Sequence, residues 1–350
     1  MKKSRFIIIG SGWRALYYVR IAKALPEYFE LCAMYCRSEE KAEKISSEYD
    51  IHTTTSIKEC EELSPDFVVV CVTKSAIADV SMEWMKKGFT VLCETPVALS
   101  NEKADEIAAL CKSGCKLVVA EQYRLYPVYS SITKIINSGI IGDPTYVSIS
   151  LAHDYHGMSL ARAFLKEGSD SKYKIRTRVF EFPSTETLTR YEKITDGRIA
   201  NKKRKISLIE FEDNKVALYD FDSEQYRSPI RNNTIKIQGT RGEIVNNTVY
   251  YLDENNVPHT SQIDIQSHLV NTIYDNPNLS TIEEIESISF NGKELYTPPF
   301  GRCGLAQDET AIAQLMYNTA LYSRDECAAP YSIDDAICDA KMSIEMTENT

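Results

Sequence analysis

Two periods alternate along the first 125 residues. Short apolar runs rich in β-branched residues fall at 6–9, 31–35, 67–72, 90–93 and 116–119. Between them, residues 13–25, 39–49, 76–87 and 101–111 carry apolar side chains at helical spacing. Strands apolar on both faces and separated by helices predict a parallel sheet with right-handed crossovers and a helix layer on each side. After Pro127 the pattern changes. A helix is predicted over 128–138, then a Gly-Ile-Ile-Gly-Asp-Pro turn, then alternating runs at 146–151, 206–211, 216–221, 234–238 and 248–251. Glu-Asp-Asn-Lys at 212–215 and Gly-Thr-Arg-Gly at 239–242 are turn signals, so this region predicts an open, mostly antiparallel sheet. Helical period returns over 308–345, broken at Pro330. The expected organisation is therefore α/β. A doubly wound parallel-sheet domain spans 1–125, and an α+β substrate and oligomerisation domain spans 126–350, with the helices of 308–345 packing back.

Composition narrows the function. The chain has 350 residues, with 50 acidic against 40 basic side chains and a net charge of −10. That balance excludes broad affinity for phosphate backbones or anionic lipid, so neither nucleic acid nor membrane is an expected partner. No stretch approaches the roughly 20 apolar residues that span a bilayer. The apolar run after Met-Lys-Lys-Ser-Arg stops at Gly10, too short for a signal peptide, and a cytoplasmic location is expected. The ten cysteines include two C-x-x-x-C pairs, Cys32/Cys36 and Cys111/Cys115, but not the C-x-x-C spacing of zinc or redox sites. Reduced, mostly buried thiols are expected. The basic clusters at 172–178 and 202–205 read as solvated loop charge.

The first chemical signal is Gly10-Ser11-Gly12-Trp13-Arg14-Ala15, which follows the first predicted strand and opens the first predicted helix. It fits the G-x-G-x-x-A loop of a Rossmann-type domain. The first glycine allows the tight turn, the second lets a pyrophosphate approach the backbone, and Ala15 allows close helix–strand packing. NAD-binding domains usually end the second strand with an acidic residue for the ribose 2′-hydroxyl. Here that strand ends Ala33-Met34-Tyr35-Cys36 and is followed by Arg37-Ser38, a guanidinium and a hydroxyl suited to a 2′-phosphate. NADP is favoured over NAD. The alternative is that Arg37 is a solvated residue and Ser38 the N-cap of the next helix.

Further blocks occur in order. They are Pro65-Asp66-Phe67-Val68-Val69-Val70-Cys71-Val72-Thr73, then Gly88-Phe89-Thr90-Val91-Leu92-Cys93-Glu94-Thr95-Pro96-Val97-Ala98-Leu99, then Glu121-Gln122-Tyr123-Arg124-Leu125-Tyr126-Pro127. With Tyr331-Ser332-Ile333-Asp334-Asp335-Ala336 near the C-terminus, the chain resembles the glucose-fructose oxidoreductase, inositol dehydrogenase and rhizopine catabolism (Gfo/Idh/MocA) family over nearly its whole length. The resemblance implies that Gly10, Ser11, Gly12, Trp13 and Arg14 hold the pyrophosphate, with Arg37 and Ser38 at the adenosine ribose. It implies that Thr73, Glu94 and Pro96 shape the nicotinamide site. The family's E-K-P lysine, its main catalytic residue, corresponds to Thr95. The family's D-x-x-x-H-x-x-D places the catalytic histidine at His156, with Ala152 and Ser159 where the aspartates stand.

His153 and Asp154 lie close enough in sequence to serve the substrate, as do Tyr123 and Arg124, although Arg124 could equally tie structural elements together. Lys74 reads as a loop lysine. The aromatic segment 219–231 suits either a sugar pocket or a packed sheet. His153 and His156 straddle a predicted strand-to-helix turn without further ligands, so no metal is expected.

The expected function is an NAD(P)-dependent oxidoreductase acting on a sugar, cyclitol or related polyol, with His156, Thr95 and Tyr123 at the chemistry. A dinucleotide-binding sensor without turnover is the alternative, and cofactor-dependent glycoside cleavage a third. An open apolar sheet predicts a homodimer or homotetramer.

Overall fold

In the computed structural model the parallel strands form where the apolar runs are unbroken on both faces. The structure describes residues 2–189, 192–226, 228–271 and 281–348. In chain order the first elements are β1 (Ser4–Ile9), α1 (Ala15–Ala24), β2 (Phe29–Tyr35), α2 (Glu39–Tyr49), β3 (Thr53–Thr54), α3 (Ile57–Glu62), β4 (Phe67–Val70), α4 (Ile77–Lys86), β5 (Val91–Cys93), α5 (Asn101–Lys112) and β6 (Leu117–Val119). Ser56 and Ser100 accept hydrogen bonds from Glu59 N–H and Lys103 N–H and so start α3 and α5. Ser38 occupies the N-cap of α2, but its side chain makes no capping bond.

Next come α6 (Pro127–Asn137), β7 (Pro144–Ser150), α7 (Asp154–Leu165), β8 (Tyr173–Thr185), β9 (Ile199–Phe211), β10 (Val216–Asp222), β11 (Thr234–Gly239), β12 (Gly242–Val245), β13 (Thr248–Leu252), β14 (Pro258–Asn271), β15 (Thr281–Phe290) and β16 (Lys293–Tyr296). Two helices close the chain, α8 (Gln307–Ser323) and α9 (Ile333–Glu348). Among the described residues, no helix is long and apolar enough to cross a membrane.

The chain divides into two units, residues 1–125 with 299–341, and residues 126–298 with 342–350. The first holds a parallel sheet of order β3-β2-β1-β4-β5-β6. Its core joins Phe6, Ile8, Tyr18, Phe67, Val69 and Leu92 to Ile312, Leu315 and Met316 of α8, so the C-terminal helix completes the cover of one sheet face. Phe6 stacks on Phe67 at 5.5 Å.

The second unit holds a sheet of order β16-β15-β14-β13-β12-β11-β7-β10-β9-β8, antiparallel among the described residues except for β7 beside β10. Strands β8 and β9 form a long hairpin with thirteen residues in each strand. The basic clusters at 172–178 and 202–205 fall on this hairpin rather than on the loops expected from sequence. Alternation across a strand sends neighbouring charges to opposite faces, where several of them meet a carboxylate. Arg176 pairs with Glu210, Lys202 with Glu186 and Glu224, Arg204 with Asp220, and Lys205 with Asp154.

All ten cysteines are free, and five of them (Cys36, Cys60, Cys71, Cys93 and Cys338) are buried. Burial pushes the Cys93 thiol up to about 12.

The turn from β1 to α1 is the tightest point of the first unit. Gly10 has φ +116°, and a Cβ there would lie 2.1 Å from the Cys71 carbonyl oxygen, whereas Gly12 has nothing within 4 Å of the same position. The two glycines thus have different physical duties. Gly10→Ala is expected to destabilise the chain by about 3 kcal/mol or more through overpacking and backbone strain. Gly12→Ala is expected to leave stability unchanged while weakening dinucleotide binding. Urea melts alongside a cofactor titration of both variants check this.

Candidate functional site

Parallel strands separated by crossovers place their following loops along one edge of the sheet. In this order the chain reverses direction between β1 and β4, and ligands of open α/β sheets bind outside the carboxyl ends of the strands at such a switch point. Gly10 to Trp13 follow β1, Arg37 and Ser38 follow β2, and Thr73 and Lys74 follow β4. Glu94, Thr95 and Pro96 follow β5, and Tyr123 and Arg124 sit in the 3₁₀ turn after β6. The loops of the predicted cofactor residues therefore share one edge of the first unit.

Within that edge the side chains differ in availability. Arg37 and Ser38 are exposed, as are Thr73 and Lys74. Trp13 is 45% exposed and meets Tyr17 edge-on. Ser11 hydrogen-bonds the buried Cys36 thiol. Gly12 accepts the Ala15 N–H through its carbonyl and leaves open space where a Cβ would stand, which fits a dinucleotide phosphate at the start of α1.

Arg14 behaves otherwise. Its Nε donates to Glu94 Oε1 at 2.8 Å and its Nη1 to Asp308 Oδ2 at 2.9 Å. Tyr18 donates to the same Glu94 oxygen at 2.6 Å, and Gln122 donates to Asp308 Oδ1 at 2.9 Å. Burial works against the Arg14 charge, but Glu94 and Asp308 outweigh it and hold the guanidinium firmly protonated. Burial and then Glu94 push the Tyr18 phenol well above its ordinary value, so it remains a donor. Glu94, 7% exposed, also receives the Thr95 N–H at 3.3 Å, just before the cis Thr95–Pro96 bond.

Arg124 is likewise held inside the first unit. It donates to the fully buried Asp339 at 3.3 Å and lies over the Tyr331 ring at 4.9 Å. Tyr123 N–H donates to Glu121 Oε1 at 3.0 Å.

In the second unit the predicted residues gather at the head of α7. Gly157 lets this helix lie against β10, since a Cβ there would stand 2.5 Å from the Tyr219 ring. Tyr219 OH then accepts the Asp154 N–H at 2.7 Å, and Tyr226 OH accepts the His153 N–H at 2.8 Å and bonds His153 Nδ1. His156, 4% exposed, meets the His153 ring edge-on at 5.0 Å. Phe221 packs against Tyr226 at 5.1 Å. Lys205 Nζ lies 2.8 Å from Asp154 Oδ1. Burial, and then the Asp154 charge, raise the Tyr219 phenol well above its usual value. Burial, aided by Tyr226, pushes Tyr129 on α6 up to about 12. The Tyr219 and Tyr129 phenols thus keep their protons.

Sequence reasoning missed Lys205, Asp308 and Tyr18. Lys205 was hidden in a run of basic residues, and its strand parity was the available signal. The aromatic segment 219–231, apart from Arg227, which lies outside the described residues, supplies Tyr219, Phe221 and Tyr226 to this cluster. Ser159 is fully buried, so no carboxylate occupies that turn of α7.

A family model described as the Gfo/Idh/MocA oxidoreductase family, NAD-binding Rossmann fold, matches residues 4–122. Over those residues the chain is similar to the NAD-binding domain of that family. Inositol 2-dehydrogenase of Rhizobium meliloti (strain 1021) is 27% identical over 112 residues, covering 31% of this chain and 33% of that protein. Trans-1,2-dihydrobenzene-1,2-diol dehydrogenase of Xenopus laevis is 29% identical over 121 residues, covering 34% and 37%. The matched segment thus spans about a third of these curated relatives. A solved oxidoreductase from Agrobacterium radiobacter, in complex with NAD+, L-tartaric acid and magnesium, shares the fold with a TM-score of 0.66 at 13% identity, covering 99% of this chain and 96% of that one.

Arg14→Met would leave Glu94 and Asp308 facing one another without their shared cation. A loss of about 3 kcal/mol or more is expected, measured by urea denaturation through the buried Trp84. A variant of unchanged stability that fails only to bind dinucleotide would instead place Arg14 on the pyrophosphate.

Proposed function

We propose that the chain is an NAD(P)-dependent dehydrogenase that oxidises a secondary alcohol of a sugar, cyclitol or related polyol, with NADP favoured. The observation that carries this reading is the set of loops at the carboxyl edge of the six-stranded sheet, headed by Gly10 and Gly12, in a matched NAD-binding Rossmann fold. Gly12 and the backbone N–H groups at the start of α1 would hold the pyrophosphate, and exposed Arg37 and Ser38 the ribose 2′-phosphate. Thr73, Glu94 and Pro96 would border the nicotinamide, which when bound accepts a hydride. His156, buried at the head of α7, takes the hydroxyl proton as the carbonyl forms. Thr95 and Tyr123 contribute neutral hydrogen bonds to the substrate.

A non-catalytic, dinucleotide-binding sensor is the competing reading, and it is favoured by Thr95 in place of lysine and by the buried Ser159. Turnover separates the two. Purified protein mixed with NADP or NAD and a panel of hexoses, cyclitols and other polyols is expected to raise the absorbance of reduced nicotinamide. His156→Ala should then lower kcat by about 10²–10⁴, and Arg37→Ala should weaken NADP far more than NAD. Cofactor binding without turnover on any compound would establish the sensor.

The same reading includes a homodimer or homotetramer built on the second unit, whose sheet carries exposed Tyr250, Leu252 and Leu269. Light scattering at micromolar concentration is expected to give a multiple of the chain mass, and a monomeric mass would refute the assembly.

A further inference from the structure

Positive charge near the reacting oxygen is what Thr95 cannot provide, because a hydroxyl donates one hydrogen bond and carries no charge. The second unit holds an ammonium of its own at the head of α7. Lys205 stands on β9 directly opposite Phe221 of β10, on the sheet face that α7 covers. Its side chain is 19% exposed, and its Nζ reaches Asp154, two residues before His156. Its neighbours on β9 are engaged elsewhere: Lys202 lies between Glu186 and Glu224, and Arg204 pairs with Asp220. Lys203 is 74% exposed.

A tether between hairpin and helix is the plain alternative, but Asp154 does not need Lys205 to hold it in place. Its N–H is fixed by Tyr219 OH, and its backbone turns through φ +27° where α7 begins. The ammonium and the carboxylate, 2.8 Å apart, form a donor and an acceptor beside the rings of Phe221, His153 and Tyr226. A polyol presents the complement. One hydroxyl oxygen accepts from the ammonium, the neighbouring hydroxyl donates to the carboxylate, and the C–H face lies on a ring.

Resting on the dehydrogenase reading above, we infer that Lys205 and Asp154 form the clamp for adjacent substrate hydroxyls, and that Lys205 is the cation of the substrate site. Lys205 donates to the oxygen whose proton His156 removes, so the charge that builds on that oxygen faces an ammonium. Asp154 receives the neighbouring hydroxyl and orients Lys205.

Calorimetric titration of myo-inositol and D-glucose into the protein saturated with NADPH tests the clamp without turnover, alongside steady-state kinetics on whichever compound of the panel reacts. Lys205→Gln is expected to weaken polyol binding at least tenfold and to lower kcat by about 10²–10³, with NADPH affinity unchanged. Lys205→Arg, which keeps the charge, should recover most of the binding and confirm that the fold tolerates change at this position. Asp154→Asn should raise KM more than it lowers kcat. If polyol affinity and kcat/KM in Lys205→Gln stay within threefold of the parent, the clamp is overturned while the dehydrogenase reading stands. If the parent binds a polyol without turnover and Lys205→Gln loses that binding, the clamp stands and the dehydrogenase reading falls. If the parent neither binds nor turns over any polyol, both fall.

Discussion

The first unit depends on one half-buried guanidinium. Arg14 lies in the glycine loop after β1, yet its partners come from the turn after β5 and from the start of α8. Those contacts close loops of 80 and 294 residues, so one side chain fixes the cofactor loop against both the Glu94 turn and the returning C-terminal helix. Two carboxylates approaching this closely would repel each other without the cation between them. Tyr18 adds a second bond to the same Glu94 oxygen, Thr95 N–H reaches the other one, and Gln122 takes the second Asp308 oxygen, which is what makes partial burial of the set tolerable.

The order of the parallel strands then converts that local bond into a site. Because β1 and β4 are neighbours, the loop headed by Gly10 and the loop headed by Thr73 lie side by side, with Cys71 pressed against Gly10. A glycine is obligatory at residue 10 because of the Cys71 carbonyl, while Gly12 faces open space, so the steric constraint falls on the first glycine of the motif and not on the second.

The parallel sheet was legible because β1, β4 and β5 are apolar on both faces, a pattern that neither surface strands nor amphipathic helices share. The glycine loop was legible because its residue types are dictated by backbone geometry over six positions. The hairpin of β8 and β9 was harder to read, since its charged residues are balanced by partners across the ladder rather than by solvent. Arg14 shows the same limit within a motif. Its place in the loop suggests a phosphate ligand, and only contacts from remote positions reveal the carboxylates that hold it. The pairing of Lys205 with Asp154 belongs to this class too, because 51 residues separate them and strand parity alone decides which face the lysine takes.

Where positive charge sits in the molecule follows from these placements. The turn after β5 offers a threonine whose neighbour Glu94 is already committed to Arg14 and Tyr18. At the head of α7 the balance differs. Tyr219 OH and Tyr226 OH accept the Asp154 and His153 N–H groups, His153 and His156 meet edge-on, and Asp154 is the carboxylate that pairs with a cation. Lys205 answers it from a strand that carries the opposite face's charges on its alternate residues, so the alternation along the hairpin directs one ammonium toward Asp154. The ammonium supplied from β9 is tied to the packing of α7 on β10, which makes Gly157 and Tyr219 the structural condition for the chemistry proposed at His156.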